Sequence, residues 1–254
     1  MLSLPRLGAS WPPSFQLLGK LPGQCLICRR WQASSLCTHC LEAWRAPVAR
    51  CQRCAIDLPA YRADAGHEIC ALCEDQSPEV DRTICAVHYT APWSPLLARL
   101  KFRDGTALAR PLGALLAQAV APRLSDVNLI VPVPLSRQRL AERGYNQSWL
   151  LARQVGKRLK VEARHDLLER RTHTSRLMAM SAEERQRHIA GAFEVTTTGL
   201  RLVPGRDVAI VDDVMTTGAT LNAAAATLLD AGAHSVSAWV VARTPSPAKK
   251  AKGA

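Results

Sequence analysis

Residues 208–220 read VAIVDDVMTTGAT. An apolar, mostly β-branched run delivers two adjacent acids, Asp212 and Asp213, at its carboxyl end. Such a run predicts a buried strand, and open α/β sheets bind their ligands at the carboxyl ends of strands. A loop of small and hydroxyl residues follows, Val214, Met215, Thr216, Thr217, Gly218, Ala219 and Thr220, and it passes into an Ala- and Leu-rich helix expected over 218–231. Loop N–H groups and a helix N-terminus together make an anion site. The three threonines add hydroxyl donors, and Gly218 lets the backbone approach an anion with no Cβ in the way. The segment suits a ligand with a phosphate on one side and vicinal hydroxyls on the other. A plain strand–turn–helix with a capping Thr would have no need of the acid pair.

The pattern extends outward on both sides. TICAVHYT (83–90) reads as a strand or edge hairpin, NLIVPVP (128–134) as a buried strand, AFEV (192–195) as a short strand and SVSAWVVA (235–242) as a final strand. Between them, residues 96–102 and 106–121 read as helices, and Asn146 predicts the cap of a helix running to about Leu159. Gly232 is placed to end the helix that follows the acid pair. Strands alternating with amphipathic helices predict an α/β fold with a parallel sheet. Residues 169–181 are polar and Arg-rich, as in a long loop over a ligand site.

Before residue 80 the composition is different. Eight cysteines fall in four CxxC knuckles: Cys25 and Cys28, Cys37 and Cys40, Cys51 and Cys54, Cys70 and Cys73. A CxxC turn brings two thiolates to one ion, and two turns complete a tetrahedral S4 shell that favours Zn²⁺. An iron–sulfur cluster also fits the ligand count. Sequential pairing gives two zinc ribbons; a crossed pairing, with 25/28 joined to 51/54, fits as well. Stretches this short lack a core, so metal binding would supply much of their folding energy. The ninth cysteine, Cys85, reads as a small buried strand residue, and His39 and His67 as bystanders. Arg29, Arg30, Arg45, Arg50 and Arg53 with Trp31 and Trp44 suit backbone contacts and base stacking on nucleic acid; the other reading is a small Trp core ringed by solvated Arg.

Lys and Arg number 33 against 21 Asp and Glu, a formal net charge of +12 that favours anionic partners. Hydrophobic residues make up 48% of the chain, enough for a proper core and against global disorder. No apolar run approaches the ~20 residues of a spanning helix. The first 25 residues hold no uninterrupted apolar stretch of signal-peptide length, so the expected location is cytoplasmic, a reducing compartment in which paired cysteines point to metal.

The segment 208–220 resembles the phosphoribosyl pyrophosphate signature of type I phosphoribosyltransferases: the apolar strand, the acid pair and the TTGxT loop all match. VPVPLSRQRLAERGYNQS (131–148), with its RGxNQ element at Arg143 to Gln147, is similar to the enlarged pyrophosphate-side loop of the ComF/GntX family. So are LKF (100–102), GAF (191–193) and the cysteine-rich N-terminus. The resemblance runs from about Cys25 to Thr244. It implies an N-terminal extension (1–22), a double zinc ribbon (23–78), a type I phosphoribosyltransferase-like, Rossmann-like domain (79–244) and a disordered basic tail (245–254).

It further implies a competence-group protein concerned with uptake or use of external DNA. Phosphoribosyl pyrophosphate would bind with Mg²⁺, Asp212 and Asp213 would be catalytic, 214–220 would hold the 5′-phosphate, and Arg137, Arg143 and Lys101 would face the pyrophosphate. In the stretch 174–188 the family's flexible loop usually carries Gln where Leu177 stands and Asn where His188 stands. Three functions fit: a phosphoribosyltransferase, a non-catalytic phosphoribosyl pyrophosphate-sensing adaptor among other DNA-uptake proteins, and a single-stranded-DNA binder acting through its basic surface and ribbons.

Overall fold

The computed structural model describes residues 23–45, 47–124, 126–171 and 191–245. They form two compact units that divide after Trp44. In the first, strands β1 (Gly23–Gln24) and β2 (Trp31–Gln32) pair antiparallel around the first knuckle, and helix α1 (Thr38–Trp44) carries Cys40 inward.

The second unit begins with two one-turn helices, α2 (Ala60–Asp64) and α3 (Ala71–Asp75), set among the third and fourth knuckles. A parallel sheet follows. It comprises β3 (Arg82–His88), β4 (Leu129–Pro132), β5 (Glu162–Ala163), β8 (Asp207–Met215) and β9 (Ser235–Arg243), in the order β3-β9-β8-β4-β5. A two-stranded antiparallel ribbon, β6 (Leu168–Arg170) with β7 (Phe193–Val195), stands beside it. The expected strand over 83–90 is a plain edge strand parallel to β9, with no hairpin.

The apolar runs in the central strands are continuous because both faces are covered, as parallel sheets require. Val208 and Ile210 of β8 join Val236, Ala238 and Val240 of β9 in one core with Leu221, Ala224, Ala225 and Leu228. Those last four lie on the helix Ala219–Asp230, which follows the acid pair. Ala209 and Val211 alternate with the first set and are also fully buried. Helices Ala109–Val120 and Gln147–Leu159 pack against each other and against the sheet, and bury Leu112, Leu116, Leu151 and Val155. Gly232 takes φ 92°, as expected of the residue that turns the chain into β9.

Two helices, Arg137–Arg143 and Thr197–Leu202, stand where no helix was expected. Each is short and capped by a hydroxyl: Arg139 N–H donates to Ser136 Oγ (3.3 Å) and Gly199 N–H to Thr196 Oγ1 (3.0 Å). Residues 172–190, which hold Leu177, His188 and most of the expected long loop, lie outside the described residues.

Candidate ligand site at the carboxyl edge of the sheet

The acid pair sits near the carboxyl end of β8, at the centre of the sheet. Its two members have different surroundings. Asp212 Oδ1 accepts from Ser148 Oγ (2.8 Å) and from the N–H of Asp213 (2.8 Å). Burial, and next the neighbouring Asp213 carboxylate, push the Asp212 carboxyl up to about 7, against the pull of those two donors. Asp213 is buried, and its Oδ2 lies 3.1 Å from Lys101 Nζ, an ion pair whose angle leaves that oxygen without a hydrogen bond. A deeply set carboxylate oxygen with an unfilled acceptor position suits a hydroxyl-bearing ligand.

The loop after the acids turns at Gly218 (φ 91°), where a Cβ would come within 2.5 Å of Met215 Cε. Thr216 and Thr217 are exposed, and Ala219 N–H donates to Thr217 Oγ1 (3.3 Å) as the helix begins. Among the described residues no N–H of Thr216, Thr217 or Gly218 donates a hydrogen bond. Three adjacent free donors at a helix start suit an anion.

A second wall comes from the loop after β4. Val133 N–H donates to Val211 O (2.9 Å), and Asn146 Nδ2 donates to Val133 O (3.0 Å). Asn146 Oδ1 also caps the helix Gln147–Leu159 through the N–H groups of Ser148 and Trp149, as expected, and this cap aims Ser148 at Asp212. Arg143 Nη1 donates to Gln147 Oε1. Tyr145 Oη donates to Leu100 O (2.7 Å) and Phe102 O, which ties the Lys101 segment to this wall.

Residues 145–253 match the phosphoribosyl transferase domain family. Competence protein F of Haemophilus influenzae is 33% identical over 228 residues, covering 87% of this chain and 96% of that protein. The DNA utilization protein YhgH of Escherichia coli K12 is 34% identical over 232 residues, covering 88% and 98%. The chain belongs to the ComF family. Competence protein ComFC of Bacillus subtilis is a more distant relative, 25% identical over 194 residues, covering 72% and 75%. The fold is accordingly that of a type I phosphoribosyltransferase with its parallel central sheet.

In this ComF-family chain Asp212, Asp213 and Val214 to Thr220 lie together at the sheet edge, with Arg143 on the adjoining wall. Arg137 is exposed on the first turn of its helix, and no hydrogen bond or ion pair joins it to the acids. Three residues that sequence reasoning passed over also belong to this edge. Ser148 orients Asp212. Arg170 is shifted downward by burial and then by the Arg139 charge, while Asp212 pulls it the other way. Arg243 reaches the loop carbonyls from the end of β9. For Ser148 the signal was present, two residues beyond a capping Asn.

The eight knuckle cysteines form two sets, Cys25, Cys28, Cys37, Cys40 and Cys51, Cys54, Cys70, Cys73, with the sulfur atoms of each set within 4.8 Å of one another. The pairing is therefore sequential. The chain turns identically at both first knuckles: Arg29 N–H donates to Cys25 O (3.0 Å), and Ala55 N–H to Cys51 O (2.8 Å). Arg29 and Ala55 both take positive φ, 63° and 55°. Thiols packed this closely do not ionise together without a cation. Burial and the bonds of Cys37 and Cys28 push Cys40 up to about 12, while the bond from Cys54, ahead of opposing burial, holds Cys51 down to about 4. Four converging sulfurs, partly screened from water, fit a soft divalent ion.

Trp31 is 71% exposed and Trp44 52%, so these two do not fill a small core. Arg29 and Arg30 are exposed beside Trp31. Arg50 and Arg53 are structural: Arg50 bonds Asp57 (2.8 Å) and Ala55 O, and Arg53 bonds Val80 O (3.5 Å). Cys85 is pushed up to about 11 by burial, in keeping with an inert strand thiol. Among the described residues no helix is long and apolar enough to cross a membrane.

Proposed function

We propose that this ComF-family protein binds phosphoribosyl pyrophosphate with Mg²⁺ at the carboxyl edge of β8, holds structural zinc in both sulfur tetrads, and serves in competence, the uptake or use of external DNA. One observation carries the reading of the site: an acid pair, one member oriented by Ser148 and the other with an unfilled oxygen, stands directly before a loop with three free N–H groups. The competence role rests on the names of relatives that align along nearly their whole length.

In the transferase reading, an acceptor forms a bond to the ribose C1 as the C1–oxygen bond to pyrophosphate breaks, through an oxocarbenium-like transition state. Asp212 and Asp213 accept from the ribose hydroxyls and stabilise the developing positive charge. Residues 214–220 anchor the 5′-phosphate. Arg143, Arg137 and Lys101 supply cations on the pyrophosphate side, and Lys101 leaves Asp213 as the ribose arrives. Bound Mg²⁺ supplies charge neutralisation of the leaving group. A sensing adaptor would use the same contacts without turnover, and release of pyrophosphate separates the two.

A second reading, single-stranded DNA binding, draws on Trp31 exposed beside the exposed Arg29 and Arg30. The site itself is tested by thermal unfolding. Phosphoribosyl pyrophosphate with Mg²⁺ at ~100 times Kd adds about 2.7 kcal/mol to a protein with the site. Asp212→Asn with Asp213→Asn is expected to lose that increment while keeping its unliganded melting transition; an undiminished increment would refute the assignment.

A further inference from the structure

Arg243, the last residue of β9, is only 6% exposed, yet among the described residues it makes no ion pair. Among those residues its hydrogen bonds all go to neutral carbonyls. Nε donates to Cys54 O (2.9 Å); Nη1 donates to Met215 O (3.3 Å), Thr216 O and Thr244 O (2.9 Å). Thr244 N–H adds a second bond to Met215 O (3.0 Å). One guanidinium thus spans a knuckle of the second sulfur tetrad and the loop that follows the acid pair.

The planarity of the peptide makes these bonds directional. In a trans peptide the C=O of one residue and the N–H of the next point in opposite senses. Holding the carbonyls of Met215 and Thr216 on the Arg243 side turns the N–H groups of Thr216 and Thr217 the other way, and those N–H groups are two of the three free donors of the loop. The charge matters as well. A buried guanidinium facing only dipoles is costly. It would be offset by anions on either side: a metal-loaded tetrathiolate, which would carry net negative charge even around a divalent ion, and a phosphate bound at the loop.

We propose that Arg243 is a positioning residue that couples the second tetrad to the anion-binding loop, so that metal at Cys51, Cys54, Cys70 and Cys73 and phosphate at 216–220 each favour retention of the other. This rests on reading the loop as a phosphoribosyl pyrophosphate site. Coupling between sites is reciprocal, so it can be read from the metal side with no reference to turnover.

The experiment follows zinc release from the full-length, zinc-loaded protein into an excess of a chromogenic chelator, with and without phosphoribosyl pyrophosphate and Mg²⁺. Cys25→Ser with Cys28→Ser leaves the second tetrad as the source of the signal. Ligand is expected to slow release about tenfold, an equilibrium coupling within the usual range that shows in dissociation, as most affinity differences do. Arg243→Gln is expected to abolish the slowing and weaken ligand binding about tenfold, with Arg243→Lys between the two, since it keeps the charge and loses the fork. If Arg243→Gln does not fold, the lysine variant and the wild-type comparison decide. Wild type that binds the ligand with no change in zinc release, or Arg243→Gln that shows the full slowing, overturns the coupling and leaves the site standing. Wild type that does not bind the ligand overturns the reading of the site, and the coupling falls with it.

Discussion

The two sulfur tetrads are built from one local design and put to different uses. Their first knuckles share the same turn, the same bond from the fifth residue to the first cysteine's carbonyl, and the same positive φ. They differ in where the outward-facing backbone goes. The first tetrad lies in a small unit of its own, with Trp31, Arg29 and Arg30 turned to solvent. The second is built into the α/β unit. Thr83 N–H and Oγ1 donate to Gln52 O and Arg53 O, His88 pairs with Asp57 (2.7 Å), and Arg243 holds Cys54 O. Cys54 also packs against the core beneath β8 and β9. A metal knuckle becomes a separable module or part of a domain's framework according to the partners of its spare backbone groups.

The largest effect expected from this contrast is on folding. Cys51→Ser with Cys54→Ser removes two ligands from a tetrad that edges the main sheet, and should cost the protein its cooperative melting transition, because structural zinc contributes on the order of 10 kcal/mol. Cys25→Ser with Cys28→Ser should leave that transition within a few degrees and one zinc bound. Circular dichroism melts beside zinc counts check both. Next is the exposed face of the first unit. Trp31→Ala should weaken single-stranded DNA binding about tenfold, the worth of one stacked base, and leave phosphoribosyl pyrophosphate affinity alone. Fluorescence anisotropy reads the first and calorimetry the second; equal DNA affinity in the two proteins would remove the reason for assigning DNA to this unit.

A smaller loss is expected within the ligand site. Ser148→Ala removes the donor to Asp212 and should lower phosphoribosyl pyrophosphate affinity about fivefold, ~1 kcal/mol for one typical hydrogen bond. The smallest effect is on pH dependence. With its pKa raised to about 7, Asp212 keeps its proton in the folded state where the unfolded chain has lost it. Stability without ligand should therefore fall as pH rises from the ordinary carboxylate range to about 7, then level off. Ligand affinity should move the opposite way, rising over the same window as the carboxylate becomes available to ribose hydroxyls. Asp212→Asn should flatten the stability slope, which melts at several pH values would show.

The sheet was legible because its central strands are buried on both faces, and unbroken runs such as VAIV and SAWVVA leave few other readings. The acid pair and the loop were legible because they are contiguous. Helix Arg137–Arg143 has no signature in the sequence because it offers one large apolar side chain, Leu140, and that one is 44% exposed, so no periodic stripe exists to detect. Helix Thr197–Leu202 carries Gly199, which argues against a helix, yet a Cβ there would come within 2.3 Å of Leu167 O. Close packing, which is invisible in a sequence, decides that position. Arg243 stood just beyond the strand expected over 235–242, and its role depends on Cys54, 189 residues away. Likewise, the different fates of two knuckles with the same turn depend on contacts with β3 and β9.

The most direct test is calorimetric titration of phosphoribosyl pyrophosphate with Mg²⁺ into three zinc-loaded, full-length proteins: wild type, Cys25→Ser with Cys28→Ser, and Asp212→Asn with Asp213→Asn. The first two are expected to bind with equal affinity and the third not at all. Binding that survives loss of the acid pair, or that is absent from wild type, would contradict the account.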